Sequence, residues 1–167
     1  RVVCVVCGVG AAVVCGVARG QPSYTIVDMG RVNTSDSVAQ GLGISPGGVG
    51  YGRSVGTVAQ AFGWTQGGGL SPLGLLAGRN FQVAHGASDA GHIVGVAATT
   101  LFGSSPLPVL WTGGIASQLA LAPGETLGRA YDVNDAGVVV GSHDGGSAER
   151  AVVWIGGVPG EVAATLP

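Results

Sequence analysis

Lysine is absent from the sequence, and charged residues of all kinds make up only 10% of it. The seven positive side chains are arginines that occur singly, from Arg1 to Arg150. Proteins that bind nucleic acid or anionic lipid gather positive side chains on one surface. With a net charge of −2 and no basic cluster, the chain is predicted to have no nucleic-acid partner. We also expect no membrane contact beyond its N-terminal segment.

Cysteine is missing after the N-terminal segment, in which all three cysteines lie, at positions 4, 7 and 15. Residues 2–18 carry no charge and stand between Arg1 and Arg19. A basic residue, an apolar stretch and small residues are typical of a signal peptide, and the length is at the lower limit for a membrane-spanning helix. We therefore interpret residues 1–20 as a signal peptide or membrane anchor. Residues 21–167 are predicted to be one exported domain without disulfide bonds.

Helical periodicity is also lacking, because Gly or Pro interrupts every stretch that could carry a 3.6-residue apolar repeat. Glycine is abundant instead, with 33 residues of 167, but without the G-X-Y period of collagen. The apolar content of 46% excludes a disordered chain. Glycines between short β-branched runs are typical of short strands joined by tight turns. The sequence therefore predicts an all-β domain.

Three segments of the sequence share one layout, which identifies an internal repeat. Each has a turn glycine, a second glycine four positions later, and further on an apolar run that ends in tryptophan and precedes a glycine turn. The recurring residues are Gly48, Gly91 and Gly137, then Gly52, Gly95 and Gly141, and last Trp64, Trp111 and Trp154. The turn glycines are 43 and 46 residues apart. We predict units at about 31–76, 77–122 and 123–167.

Each unit is predicted to contain four short antiparallel strands. The first strands are expected to end at Ile44, Ala87 and Val133. A turn leads to the second strand, a variable loop leads to the third strand with its tryptophan, and a glycine turn leads to the fourth. The fourth strands are expected at 70–76, 117–122 and 161–166. Residues 24–30 resemble a fourth strand, which predicts a leading strand before the first unit.

The motifs YTIVDMG (24–30), AFGWT (61–65) and YDVNDAGVVVG (131–141) resemble the bacterial extracellular repeats of the HAF family. The resemblance covers residues 24–167. It implies a secreted or cell-surface protein with a variable number of repeats and no settled biochemical activity. It brings no catalytic residues with it.

A four-stranded unit of this length has the size of a β-propeller blade. Because propellers typically have four to eight blades, three units predict an incomplete or open ring. Open sheet edges would favour self-association. A β-trefoil, which also has three four-stranded repeats, is the alternative.

The three tryptophans allow two interpretations. They could form a stacking surface for sugar rings, but each ends an apolar strand at an equivalent position. Burial between sheets, with the indole N–H bonded to a carbonyl, explains all three.

Four further groups of polar residues have side chains of the kinds found in functional sites. Asp132, Asn134 and Asp135 resemble a calcium loop that lacks oxygen ligands at positions 136 and 143, so turn chemistry explains them better. Ser142, His143 and Asp144 are adjacent, so their side chains alternate between faces and cannot form a catalytic triad. Asp28 and Glu125 could pair as carboxylates only across units, and His85, His92 and His143 lack metal-ligand spacing. We predict no catalytic residue, cofactor or metal.

These observations predict a non-enzymatic binding module for an unknown protein or glycan partner. Specificity is expected in the loops between second and third strands, at 53–60, 96–107 and 142–150, which differ in length and composition. A glycan-binding lectin of trefoil type is the alternative, and a hydrolase is a third hypothesis.

Overall fold

The computed structural model describes residues 23–100, 104–145, 148–156 and 158–161, the last of these through the backbone alone. Every regular element in these ranges is a β-strand, so the all-β prediction is confirmed. The interpretation of residues 1–20 as a signal peptide or anchor falls outside the described residues. In the described ranges, no helix is long and apolar enough to cross a membrane.

The described strands pair antiparallel in three groups of four, here called the first, second and third units. The first unit consists of β1 (Val38–Ile44), β2 (Gly50–Val55), β3 (Ala59–Thr65) and β4 (Gly69–Pro72). The second consists of β5 (Phe81–Ala87), β6 (His92–Ala98), β7 (Leu107–Thr112) and β8 (Ile115–Gln118). The third consists of β9 (Leu127–Val133), β10 (Val139–Asp144), β11 (Glu149–Ile155) and β12 (Val158–Glu161). Within each unit the strands follow one another in chain order.

One parallel bridge, between Ala59 and Phe81, joins the first two units into an eight-stranded sheet. The third unit forms a separate four-stranded sheet that packs against the second. The described strands close no barrel. This gives no support to the β-trefoil alternative, which is built around a closed barrel.

The strand ends follow the turn chemistry. The first strands end at Ile44, Ala87 and Val133, as predicted. The fourth strands begin earlier than predicted, at Gly69, Ile115 and Val158, because the glycine turns reverse the chain directly after the tryptophan strand.

The predicted leading strand at 24–30 is wrong, since residues 23–31 form no strand. The third strands β3, β7 and β11 already pair with β4, β8 and β12 of their own units. No third strand within the described residues is therefore left for the leading segment to pair with. The segment still contacts the first unit, because Met29 lies against Gly41 and Gly50.

The turn glycines have left-handed backbone conformations. The φ angles of Gly48, Gly91 and Gly137 are +95°, +86° and +74°. Each glycine N–H donates to the carbonyl three residues earlier, on Ser45, Ser88 or Asn134. The side chains of those three residues accept the next free N–H groups of their own turns, as the turn interpretation predicts.

The second set of glycines lies opposite a β-bulge that recurs in each unit. The residues left out of register are Leu42, His85 and Tyr131, on the first strands. A Cβ atom on Gly52, Gly95 or Gly141 would lie only 1.9, 1.9 or 2.0 Å from a backbone oxygen of that strand. The bulge therefore requires glycine there, because it brings the two backbones too close for any side chain.

The core lies between units rather than within one sheet. Trp111 is 1% exposed and Trp154 is 0% exposed. Their indole N–H groups donate to the carbonyls of Gly74 and Ala120, which follow β4 and β8 of the preceding unit. Burial with a carbonyl partner is thus confirmed for these two tryptophans.

Candidate binding site

The units present two different ends. The turn end carries the turns at 45–49, 88–91 and 134–138. The loop end carries the connections between second and third strands, of which residues 56–58, 99–100, 104–106, 145 and 148 are described. The turn end repeats the same hydrogen bonds in each unit, whereas the loops of the loop end differ in length. The predicted specificity loops at 53–60, 96–107 and 142–150 include these connections, but also strand residues on either side of them.

Carboxylates link the three turns. Asp89 Oδ1 accepts hydrogen bonds from Ser45 Oγ at 2.5 Å and from the N–H of Gly47 at 2.7 Å. One unit later, Asp135 Oδ1 accepts from the N–H of Ala90 at 3.1 Å. The aspartates of the second and third units therefore each hold the turn of the unit before them. Sequence reasoning missed these links, although aspartate at the same turn position in two units was a usable signal.

In the suspected calcium loop, the side-chain oxygens accept hydrogen bonds from backbone N–H groups. Asp132 Oδ1 accepts from the N–H of Val133 at 2.9 Å, and Asn134 Oδ1 accepts from the N–H of Val138 at 2.9 Å. Asp135 bonds to Ala90, as described above. Across the described ranges, no three His, Cys, Asp or Glu side chains are grouped to hold a metal ion.

The three residues of the suspected triad follow one another on β10 and line one cleft, but Ser142 and His143 are not hydrogen-bonded to each other. Ser142 Oγ donates to Glu149 Oε1 at 2.5 Å, while His143 is buried on the opposite face. Neither ring nitrogen of His143 has a hydrogen-bond partner among the described residues. Ser142 and His143 therefore do not form a nucleophile–base pair.

The suspected carboxylate pair is likewise engaged elsewhere. Asp28 Oδ1 accepts from the N–H of Gly30 at 2.9 Å. Glu125 forms an ion pair with Arg150 beside a cleft of about 430 Å³.

His85 bridges the second and third units. Its Nδ1 lies 3.1 Å from the carbonyl oxygen of Ala130, so Nδ1 carries the proton and donates. The ring stacks on Tyr131 with centroids 5.9 Å apart. Burial lowers the pKa of His85 below its ordinary value, which favours the neutral ring.

A polar cleft of about 260 Å³ opens at the loop end between the second and third units. Its lining combines hydroxyl and charged groups with buried His143, and it is formed by Ser105, Pro106, Leu127, Gly128, Arg129, Ser142, His143, Asp144 and Glu149. Glu149 accepts hydrogen bonds from Ser142 and Tyr131, so its carboxylate is oriented by two hydroxyl groups. We call this the loop-end cleft.

Trp64 differs from the other two tryptophans. It is half-buried and lines a groove of about 380 Å³ at the turn end, between the first and second units. Of the three, Trp64 is therefore the one most accessible for stacking on a ligand.

Comparison of the chain with known protein families, with characterised proteins and with solved structures gives no match.

Proposed function

We propose that this chain is a non-enzymatic, exported repeat protein that binds a polar ligand in its loop-end cleft. The observation that carries the proposal is the contrast between the two ends of the units. The turn end is held by one repeated set of hydrogen bonds, as expected of a scaffold. The loop end varies from unit to unit, as expected of a surface that provides specificity.

The composition of the loop-end cleft supports a carbohydrate ligand. Arg129, Asp144 and Glu149 supply charged groups of both signs, and Ser105 and Ser142 supply hydroxyls. Such groups bond to the hydroxyls of a sugar without requiring a net ligand charge. The partners of Asp28 and Glu125 support a binding role over hydrolysis, because each carboxylate is held by a structural contact. Ser142 is bonded to Glu149 rather than to a histidine base. The resemblance to HAF repeats supports export.

A glycan array tests the proposal with the full chain and three variants. We expect specific binding by the wild type, loss of binding in Glu149→Ala, and unchanged binding in Gln66→Ala, which alters an exposed residue at the other end. Loss in Trp64→Ala with normal binding in Glu149→Ala would place the ligand in the turn-end groove and refute the loop-end cleft. Cleavage of a bound glycan would refute the non-enzymatic role.

A further inference from the structure

The packing between units follows one rule, which can be seen twice in this chain. The first strand of each unit packs across the strands of the unit before it, as β5 does on β1, β2 and β3, and β9 does on β5, β6 and β7. Tyr51 of β2 packs against the cluster that contains Ala87 of β5. Val94 of β6 belongs to the same buried cluster as Val133 of β9. The second strand of one unit therefore meets the end of the first strand of the next.

Among the described residues, the same positions are exposed on the outer side of the first unit and on the outer side of the third. Val140 of β10 is equivalent to Tyr51 and Val94, and it is 45% exposed. Ile44 of β1 is equivalent to Ala87 and Val133, and it is 63% exposed. Strand β1 is open to solvent along nearly its whole length, whereas β5 is buried along nearly its whole length.

Each interface between units also contains an apolar side chain that precedes a unit and covers its first two strands, and the first unit has such a side chain. Leu73 belongs to the buried cluster of Ala84 and Ile93, and Leu119 to that of Ala130 and Val139. In both cases a leucine from the preceding unit covers the first and second strands of the next. Met29 lies over the corresponding pair, since a Cβ atom on Gly41 or Gly50 would be 3.5 or 3.1 Å from its side chain. Gly30, which follows Met29, precedes Trp64 by 34 residues, the separation found between Ala120 and Trp154. The first unit therefore has an apolar side chain over β1 and β2, but no sheet face of the described residues covers the exposed side of β1.

We propose that the third unit supplies that face to a second copy of this chain. In this head-to-tail contact, Val140 of one copy packs on Ile44 of the other, in the arrangement by which Val94 meets Val133. The two surfaces are different, so the contact is heterologous and each copy uses each surface once. Such contacts form rings when they close and filaments when they do not.

The aspartate hydrogen bond that links neighbouring units within the chain is missing from this contact between copies. Asp89 and Asp135 accept from the backbone N–H groups of Gly47 and Ala90. The residue at that position in the first unit is Pro46, which has no carboxylate to accept from the N–H of Ala136. Apolar burial therefore holds the contact, and a carboxylate at position 46 is expected to strengthen it.

Sedimentation velocity over a concentration series tests the proposal, with circular dichroism to show that each variant is folded. We expect the wild type to associate, and Val140→Asp or Ile44→Asp to weaken association at least about 30-fold, because each would bury an unpaired charge. Val140→Thr keeps the β-branched shape and serves as the matched control with a smaller effect. Pro46→Asp is expected to tighten association roughly tenfold by adding one charge-assisted hydrogen bond.

Mixing the two charged variants decides the geometry. The Val140→Asp chain keeps an intact Ile44 surface, and the Ile44→Asp chain keeps an intact Val140 surface. An equimolar mixture should therefore form a one-to-one dimer with the affinity of a single wild-type contact. A mixture that stays monomeric would refute the head-to-tail contact, as would a wild type that is monomeric at every concentration. An unchanged dissociation constant in Pro46→Asp would refute the proposed register.

Discussion

The indole N–H of Trp154 donates a 2.7 Å hydrogen bond to the carbonyl oxygen of Ala120, a residue of the preceding unit. Trp111 makes the same bond, at 2.9 Å, to the carbonyl of Gly74. These bonds fix the second and third units on the chain segment that leaves the unit before them. The tryptophans are therefore residues of the interfaces between units.

Replacement of a buried tryptophan by phenylalanine tests the importance of these bonds. Trp154→Phe and Trp111→Phe are each expected to lower the free energy of unfolding by about 1–3 kcal/mol, because the hydrogen bond to the preceding unit is lost and the smaller ring fills the buried indole site less completely. Trp64→Phe should have a smaller effect, since Trp64 is half-buried. Urea unfolding followed by circular dichroism measures all three. Equal losses of stability at the three positions would contradict the distinction between the two buried tryptophans and the half-buried Trp64.

Substitution of the bulge glycine is predicted to be among the most damaging single changes. In Gly95→Ala the new methyl would lie 1.9 Å from the carbonyl oxygen of Val83, so the two strands must separate. We expect a loss of at least about 3 kcal/mol in the free energy of unfolding.

Two other glycines provide a graded comparison. Gly91→Ala meets no atom within 4 Å but must keep a φ of +86°, which costs about 1–2 kcal/mol. Gly67→Ala meets neither restriction and should change stability by less than about 0.5 kcal/mol. Thermal unfolding of the three variants gives the order. A Gly95→Ala protein as stable as Gly67→Ala would contradict the bulge geometry.

Gln82 is expected to be a position where an apolar residue stabilises the protein. Its side chain is fully buried, and neither amide atom has a hydrogen-bond partner among the described residues. Gln82→Met preserves the shape and removes the buried polar atoms, so we predict a gain of about 1–2 kcal/mol in the free energy of unfolding.

Gln60 supplies the matched control for this substitution. Its Nε2 donates to the carbonyl of Leu73 at 2.8 Å, so Gln60→Met should reduce stability. Chemical denaturation of both variants compares the two effects, and a destabilised Gln82→Met protein would show that the amide contributes favourably.

His85 makes stability depend on pH in the weakly acidic range. Burial lowers its pKa in the folded state, whereas in the unfolded chain the pKa is about 6.5. The unfolded state therefore binds the proton more readily. The contribution of His85 is fully present above about pH 6.5 and is lost as the pH falls through the folded-state pKa.

His85→Leu, which places the side chain of Leu42 at the equivalent position, should reduce the loss of stability between pH 7 and pH 5. The midpoint of thermal unfolding at the two pH values, measured for both proteins, checks this. The difference between wild type and variant cancels the titration of other groups. Identical pH dependence in the two proteins would exclude His85 as the cause.

The local part of this fold was accessible from the sequence. Gly48, Gly91 and Gly137 mark turns because glycine adopts positive φ without steric cost, and turn chemistry of this kind depends only on neighbouring residues. The ends of the first strands at Ile44, Ala87 and Val133 follow from the same turns. The burial of Trp111 and Trp154 could be predicted from their place at the end of apolar strands.

The features of the fold that depend on contacts between distant parts of the chain could not be predicted from the sequence. The pattern identified Gly52, Gly95 and Gly141 as markers, but the reason for glycine requires the strand register and its bulge. The leading strand at 24–30 was wrong because pairing depends on which strand edges remain free. The loop-end cleft depends on which unit faces which, and the carboxylate of Asp89 could be assigned to its own turn as easily as to Ser45 of another unit.

The segment at Leu73–Gly74 is encoded with the first unit but completes the packing of the second. Leu119–Ala120 stands before the third unit in the same relation, and Met29–Gly30 occupies the corresponding sequence position before the first. If a stretch of sequence as long as one repeat unit were deleted, a leucine or methionine segment would again precede a compatible tryptophan. This holds wherever within the unit the deletion begins. Recombination between copies could shorten or lengthen such a gene without creating a new junction in the protein interior.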